Sequence, residues 1–403
     1  MNAAASASTP HAGVAAAPAP GFRLGYRPAL DGVRGVSILA VMYFHGGGSW
    51  IGRGGFLGVD IFFTLSGFLI TTLLVEEWEQ AGTISLANFY ARRALRLLPA
   101  LLAVIAACLA AVALFPPAEG AAAAGREILV ALYLSDWLKV YPPLFHTWSL
   151  SIEEQFYMAW PLLLFGMLWL RLSRPVMIAL VAAGVAAIAL HRAALWHGLA
   201  GTERYAVYTR LDARADSLLV GCIAGLLLSS GLSIKALPPR PLRVLAVVSA
   251  ACVALLMLLI PSDWPALYYG GFTAVAAMVG LVILHLFTAP IRLFSALFEL
   301  SPLRWFGRIS YGLYLWHLPV YTLYNNYAPP PRVGSYTLGI MIPLAIKFLL
   351  SVGVGVLSFR VVERPALRLK KRFASVRSGG PTPGGAGTHL GDGGARLGQR
   401  AGG

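Results

Sequence analysis

The sequence predicts an all-α protein, a polytopic membrane helix bundle of about ten transmembrane helices with one additional short re-entrant or surface helix. Three observations carry that class. Of 403 residues, 58% are hydrophobic and only 12% charged, whereas soluble domains carry about 25% charged residues. Apolar runs long enough to span a bilayer recur along the chain. The basic residues, which bring the formal net charge to +15, fall in short clusters between those runs. That is the pattern of membrane orientation rather than of a nucleic-acid surface, so no nucleic-acid partner is expected.

Residues 1–25, rich in Ala and Pro, lack a basic region leading into an apolar core and read as a disordered N-terminal arm. The membrane domain occupies 26–372. Its spans are read at 33–50, 56–75, 96–115, 152–171, 175–192, 214–231, 242–260, 266–288, 308–325 and 336–359. The run 128–137 is too short to cross and reads as re-entrant or packed at the outer surface. Residues 373–403, with Gly379-Gly380-Pro381-Thr382-Pro383, read as a disordered cytoplasmic tail. Ten crossings put both termini on one side. That side gathers Arg23, Arg27 and Arg34, then Arg92, Arg93 and Arg96, and later the basic run from Arg360 to Arg377. The other side has scattered cations such as Arg53, Arg126, Arg192 and Arg204. The expectation is a multi-pass protein of the inner (plasma) membrane, with the lipid bilayer around it and both termini cytoplasmic.

Cys108, Cys222 and Cys252 sit in or beside apolar runs with no CxxC or CxxH spacing, so neither disulfides nor a metal site is expected. There is no P-loop, GxSxG elbow, HExxH or Gly-rich dinucleotide fingerprint.

Ionisable residues inside apolar spans are functional candidates by default. Arg34 and His45 lie eleven residues apart in the first span, close to three helical turns, so they share a face about 16 Å apart along the axis. Asp31 is near the same face. A lone histidine here has a plain reading, a hydrogen bond to a neighbouring helix; an arginine aligned with it favours a general base. Arg93 and Arg96 at i and i+3 present paired guanidinium groups suited to phosphate, or simply anchor the span on its positive side. Ser151 and Glu154 fit a capping box, which explains Glu154 and leaves Glu153 needing a partner, with His45 or Arg214 as candidates. His146 reads as an outer-side residue, a cavity candidate or a solvated loop residue, and His317 as more structural than catalytic. Arg214 and Asp216 serve equally as buried ion-pair partners of other helices or as substrate contacts.

At these residues the chain resembles the acyltransferase-3 family of integral membrane acyltransferases. The likeness rests on Leu30-Asp31-Gly32-Val33-Arg34-Gly35 through His45, Gly58-Val59-Asp60-Ile61-Phe62-Phe63 with Leu65-Ser66-Gly67-Phe68-Leu69-Ile70, and Phe89-Tyr90 through Pro99. His146 through Tyr157, Gly307 through His317, Arg214-Ala215-Asp216 and Val362-Glu363-Arg364-Pro365 extend it. The resemblance implies transfer of an acyl group, commonly acetyl, from acyl-CoA to a hydroxyl of a carbohydrate or an antibiotic-like acceptor. Acyl-CoA enters as donor substrate, with no permanently bound cofactor. The resemblance makes Arg34 and His45 the essential pair, the imidazole either deprotonating the acceptor hydroxyl or accepting the acyl group itself, and places the cytoplasmic RxxR on Arg93 and Arg96. Asp60 and Ser66 join the cavity candidates. Some relatives carry an added extracytoplasmic hydrolase-like domain, which is not expected here. The rival readings are a transporter or flippase using His45, Glu153, Asp216 and His317 as a polar relay, and an inactive scaffold of a glycan-assembly complex.

Overall fold

The computed structural model describes residues 23–47, 52–114, 133–138, 143–229, 239–288, 290–328 and 336–369. The arm up to residue 22, the run 128–132 and the tail 373–403 lie outside these residues. Among the described residues there are helices and turns and no strand. In chain order the helices are α1 (Pro28–His45), α2 (Gly58–Ala81), α3 (Leu86–Leu114), α4 (Trp148–Trp169), α5 (Arg174–Gly198), α6 (Arg204–Thr209) and α7 (Leu211–Ser229). They continue with α8 (Pro239–Leu259), α9 (Phe272–Thr288), α10 (Arg292–Phe298), α11 (Ser301–Arg308), α12 (Ser310–Tyr327), α13 (Tyr336–Ser358) and α14 (Arg364–Leu369).

Among the described residues, six stretches are long and apolar enough to cross a membrane: Gly55–Ala81, Leu86–Leu114, Arg174–Gly198, Pro239–Leu259, Leu267–Thr288 and Gly339–Leu369. The predicted number was about ten. Of the remaining long helices, α1, α4 and α7 carry charged side chains and α12 is rich in tyrosine.

Helix ends follow local chemistry. Proline opens α1 and α5 at their first turns, where its missing N–H would have no partner. Gly82 ends α2 at φ +68°, its N–H bonded to the Trp78 carbonyl at 2.8 Å, the left-handed cap that glycine accepts without strain.

Several boundaries differ from the sequence reading. Helix α3 begins ten residues before the predicted 96–115 run, so Arg92, Arg93 and Arg96 lie within it instead of preceding it. Their charges have carboxylate partners or a cavity, which lets the helix continue. Helix α1 ends at His45 rather than running to residue 50. Helix α5 extends to Gly198, so Arg192 is no loop cation but a fully buried helical residue. Of the run 128–137, the part described is turn, not helix. Ser135 and Asp136 are buried there and bond to Ser151 and Gln155 of α4.

The tightest packing places backbone on backbone. A Cβ at Gly67 of α2 would overlap the Leu218 carbonyl of α7, and one at Gly221 would overlap the Thr64 carbonyl. Helix α1 meets α11 as closely, with Gly307 against the Asp31 carbonyl. Side-chain bonds from α4 to α2 and from α1 to α12 add these helices to the same interior. Cys108 and Cys222 are buried, Cys252 is exposed, and all three are free thiols.

Candidate active site

At one end of the bundle, arginines of α1 and α3 line a cavity of about 150 Å³ with Glu77, Ser66, Glu153, Tyr157 and Tyr311. The arginines are Arg34, Arg92, Arg93 and Arg96. Arg92 pairs with Glu77 at 3.2 Å and Arg93 with Glu154 at 3.3 Å. The Arg93 guanidinium stacks 3.5 Å over the Tyr157 ring. Arg96 makes no salt bridge among the described residues. Sequence reasoning left Arg92 out of the site, although its i, i+4 spacing to Arg96 puts both on one helical face.

Glu153 sits where this cavity meets a narrower one of about 50 Å³. Its Oε1 accepts hydrogen bonds from Ser66 and, at 2.5 Å, from the Tyr157 hydroxyl, with Arg93 3.7 Å away. The predicted partners, His45 and Arg214, are not its partners. The capping box is also absent: α4 starts at Trp148, so Ser151 lies inside the helix and bonds the Thr147 carbonyl and Ser135. Glu154 therefore serves Arg93 rather than the helix end. The capping-box error has a plain cause, a helix start placed four residues late.

Arg34, Ser66, Glu153 and Tyr311 line both cavities, while Val59 and Tyr314 line the narrow one and a third cleft of about 490 Å³. Shared walls thus form a track from the arginine end to this cleft, which holds His45 amid Phe44, Trp148, Tyr208 and Tyr268. Arg34 Nε donates to Ser310 Oγ at 3.4 Å and His45 Nδ1 lies 3.0 Å from His317 Nε2, so both side chains of α1 face α12, as their spacing predicts. The last carbonyls of α1 are held by the buried Lys347, which donates to the Gly46 carbonyl at 2.8 Å, and by Tyr321, which donates to that of Met42 at 3.2 Å. Neither was singled out. A lone lysine in an apolar run was the available signal.

His146 is not a solvated loop residue. It is buried, its ring 4.9 Å from that of His317, and the Tyr314 hydroxyl donates to its carbonyl at 2.9 Å. His317 is buried too. Among the described residues no set of three His, Cys, Asp or Glu side chains is arranged to hold a metal.

The remaining candidates lie outside the three cavities. Asp31 accepts from the Tyr26 hydroxyl at 2.7 Å near α11. Asp60 pairs with Arg214 at 2.8 Å, and Asp216 with Arg192 at 2.8 Å, all four fully buried. Of the two readings offered for Arg214 and Asp216, these contacts match the ion pairs between helices. Arg192 also donates to the Ala213 carbonyl and to Thr273, each at 2.8 Å. Arg214 stacks 3.6 Å over Phe272 and 4.8 Å from the Tyr208 ring. Since Tyr208 and Tyr268 line the cleft and the Tyr268 carbonyl accepts from Arg192, the charges brace the cleft wall from behind. A relay through His45, Glu153, Asp216 and His317 is not assembled: only the two histidines touch.

The chain matches the family model described as an acyltransferase domain over residues 27–358. It belongs to that family. It is similar to the peptidoglycan O-acetyltransferase OatA of Listeria monocytogenes, 32% identical over 359 residues that cover 84% of this chain and 56% of that protein. The O-acetyltransferase OatA of Staphylococcus aureus is 32% identical over 354 residues, 84% of this chain and 57% of its own length. The chain spans little more than half the length of these curated relatives. No solved structure matches it.

Proposed function

We propose that this chain is a membrane O-acyltransferase that moves an acyl group, acetyl in the first instance, from acyl-CoA to a hydroxyl of a carbohydrate or a glycosylated or polyketide acceptor. The observation that carries this reading is the run of cavities from four arginines to His45. Coenzyme A is a polyanion at one end and a thioester at the other, joined by a long thin arm. Arg93, Arg96, Arg92 and Arg34 suit the phosphates, and charge-assisted bonds of this kind are among the strong ones. The narrow cavity suits the pantetheine arm and delivers the thioester toward His45.

There the imidazole takes the proton of the acceptor hydroxyl as its oxygen attacks the thioester carbonyl. The new C–O bond forms, the C–S bond breaks, and the proton passes to the departing thiolate, which restores the neutral imidazole. Two O-acetyltransferases among the relatives support acetyl as the acyl group, and the peptidoglycan named for one supports a carbohydrate acceptor. In the bilayer, the four polar-bearing long helices complete about ten crossings beside the six apolar ones. The arginine end then faces the cytoplasm with both termini.

Equilibrium binding of radiolabelled acetyl-CoA to the purified protein tests the donor. The Arg93→Ala/Arg96→Ala double variant should lose affinity by more than tenfold while the protein stays folded. Unchanged affinity would reduce both arginines to topology anchors and remove the donor assignment.

A further inference from the structure

His317 approaches two kinds of neighbour. On one side its Nδ1 lies 2.7 Å from the Tyr314 carbonyl and 3.2 Å from that of Leu313. A carbonyl oxygen can only accept, so Nδ1 carries the proton. On the other side Nε2 lies 3.0 Å from His45 Nδ1. Two neutral imidazoles share one proton across that gap, and with His317 already protonated at Nδ1, its Nε2 offers the lone pair. His45 Nδ1 must then be the donor. None of His45, His146 and His317 forms an ion pair among the described residues, so no carboxylate is in place to hold either partner as a cation.

From this juxtaposition we propose that His317 is a positioning residue that locks His45 in its Nδ1–H tautomer and so assigns Nε2 as the basic nitrogen facing the cleft. The inference rests on the reading of His45 as the general base. It goes beyond that reading by naming the atom that takes the proton and the group that selects it. A free histidine side chain favours the other tautomer, which here would bury the lone pair against α12. When Nε2 takes the acceptor's proton, His45 becomes an imidazolium whose Nδ1–H still donates to His317, so the charge is stabilised without moving either ring. The role is that of the orienting carboxylate in a hydrolase triad, supplied here by a neutral histidine. Helix geometry fixes the orienter in turn: the Tyr314 and Leu313 carbonyls are three and four residues back on α12.

Three purified variants in nanodiscs, His317→Leu, His317→Gln and His45→Ala, are compared with wild type for acetyl-CoA affinity, thermal midpoint and acetyl-transfer turnover. His317→Leu should keep donor affinity and lose turnover by about 10²-fold or more. His317→Gln, whose amide oxygen can accept from Nδ1–H, should recover at least tenfold of that loss. A ¹⁵N spectrum of selectively labelled wild-type protein, with the His45 signals assigned by their absence in His45→Ala, should show Nδ1 protonated and Nε2 bare. This arm stands even if His317→Leu does not fold. An unprotonated Nδ1 on His45, near-normal turnover in His317→Leu, or a folded His317→Gln as inactive as His317→Leu would each overturn the proposal. An active His45→Ala would instead overturn the general-base reading on which it rests.

Discussion

Glu153 and Glu154 adjoin in the chain and face different tasks. Glu153 holds Ser66 and Tyr157 through one oxygen at the junction of two cavities, whereas Glu154 offsets part of the charge on Arg93. Replacing Glu153 by Gln keeps an acceptor oxygen but removes the charge that draws Arg93 and both hydroxyls together. Turnover should fall about tenfold or more. Replacing Glu154 by Gln takes a competing carboxylate away from Arg93, so acetyl-CoA should bind as tightly as in wild type or more so, with turnover largely kept. Assaying both at matched membrane expression checks the pair; a silent Glu153→Gln with a dead Glu154→Gln would reverse their assignments. Arg34 and His45 were legible because a helical period aligns them. The partners of Glu153 were not, since Ser66 and Arg93 reach it from other helices and no local pattern encodes that meeting.

Elements carry the fold by close approach and by paired charge. Gly67 lets α2 meet the backbone of α7, and Gly67→Leu leaves no room for the side chain. It should destabilise the folded bundle by more than about 2 kcal/mol, seen as a lower thermal midpoint in detergent; an unchanged midpoint would mean the helices cross elsewhere. The charge pairs behave differently. Asp216→Asn strips the buried Arg192 of its counter-charge, and breaking such a pair typically costs about 3–5 kcal/mol. The same thermal measurement should show that loss. The cause is remote from the donor cavity, so acetyl-CoA affinity in the surviving folded protein should stay at the wild-type level. Helix positions were legible from apolar runs, but charged ends blurred their limits. Arg192 was placed at the outer end of a span, and the arginines of α3 were set before a helix that contains them, because an arginine near the end of an apolar run looks the same whether it meets water or a buried carboxylate.

Across the whole molecule, Arg34 in the first half of α1 lines the arginine cavity and His45 at its last residue lines the cleft, and in the proposed function that order sets donor and acceptor apart. The proposed orientation in the bilayer rests on where the basic clusters fall. In protein with Cys108, Cys222 and Cys252 replaced, a membrane-impermeant thiol reagent should label Ala200→Cys on intact cells and Thr83→Cys only after permeabilisation. Labelling in the opposite pattern would invert the proposed topology. Composition made the membrane class legible at once. The number of crossings was less so: about ten were expected, and six stretches among the described residues are long and apolar enough to cross. The central claim separates donor binding by the arginines from chemistry at His45, and one paired measurement on His45→Ala tests it most directly. Purified variant and wild type are compared for acetyl-CoA affinity and for transfer of labelled acetyl to a carbohydrate acceptor. Affinity should match wild type while transfer falls by about 10²- to 10⁴-fold. Transfer near the wild-type rate in folded His45→Ala protein would contradict the account.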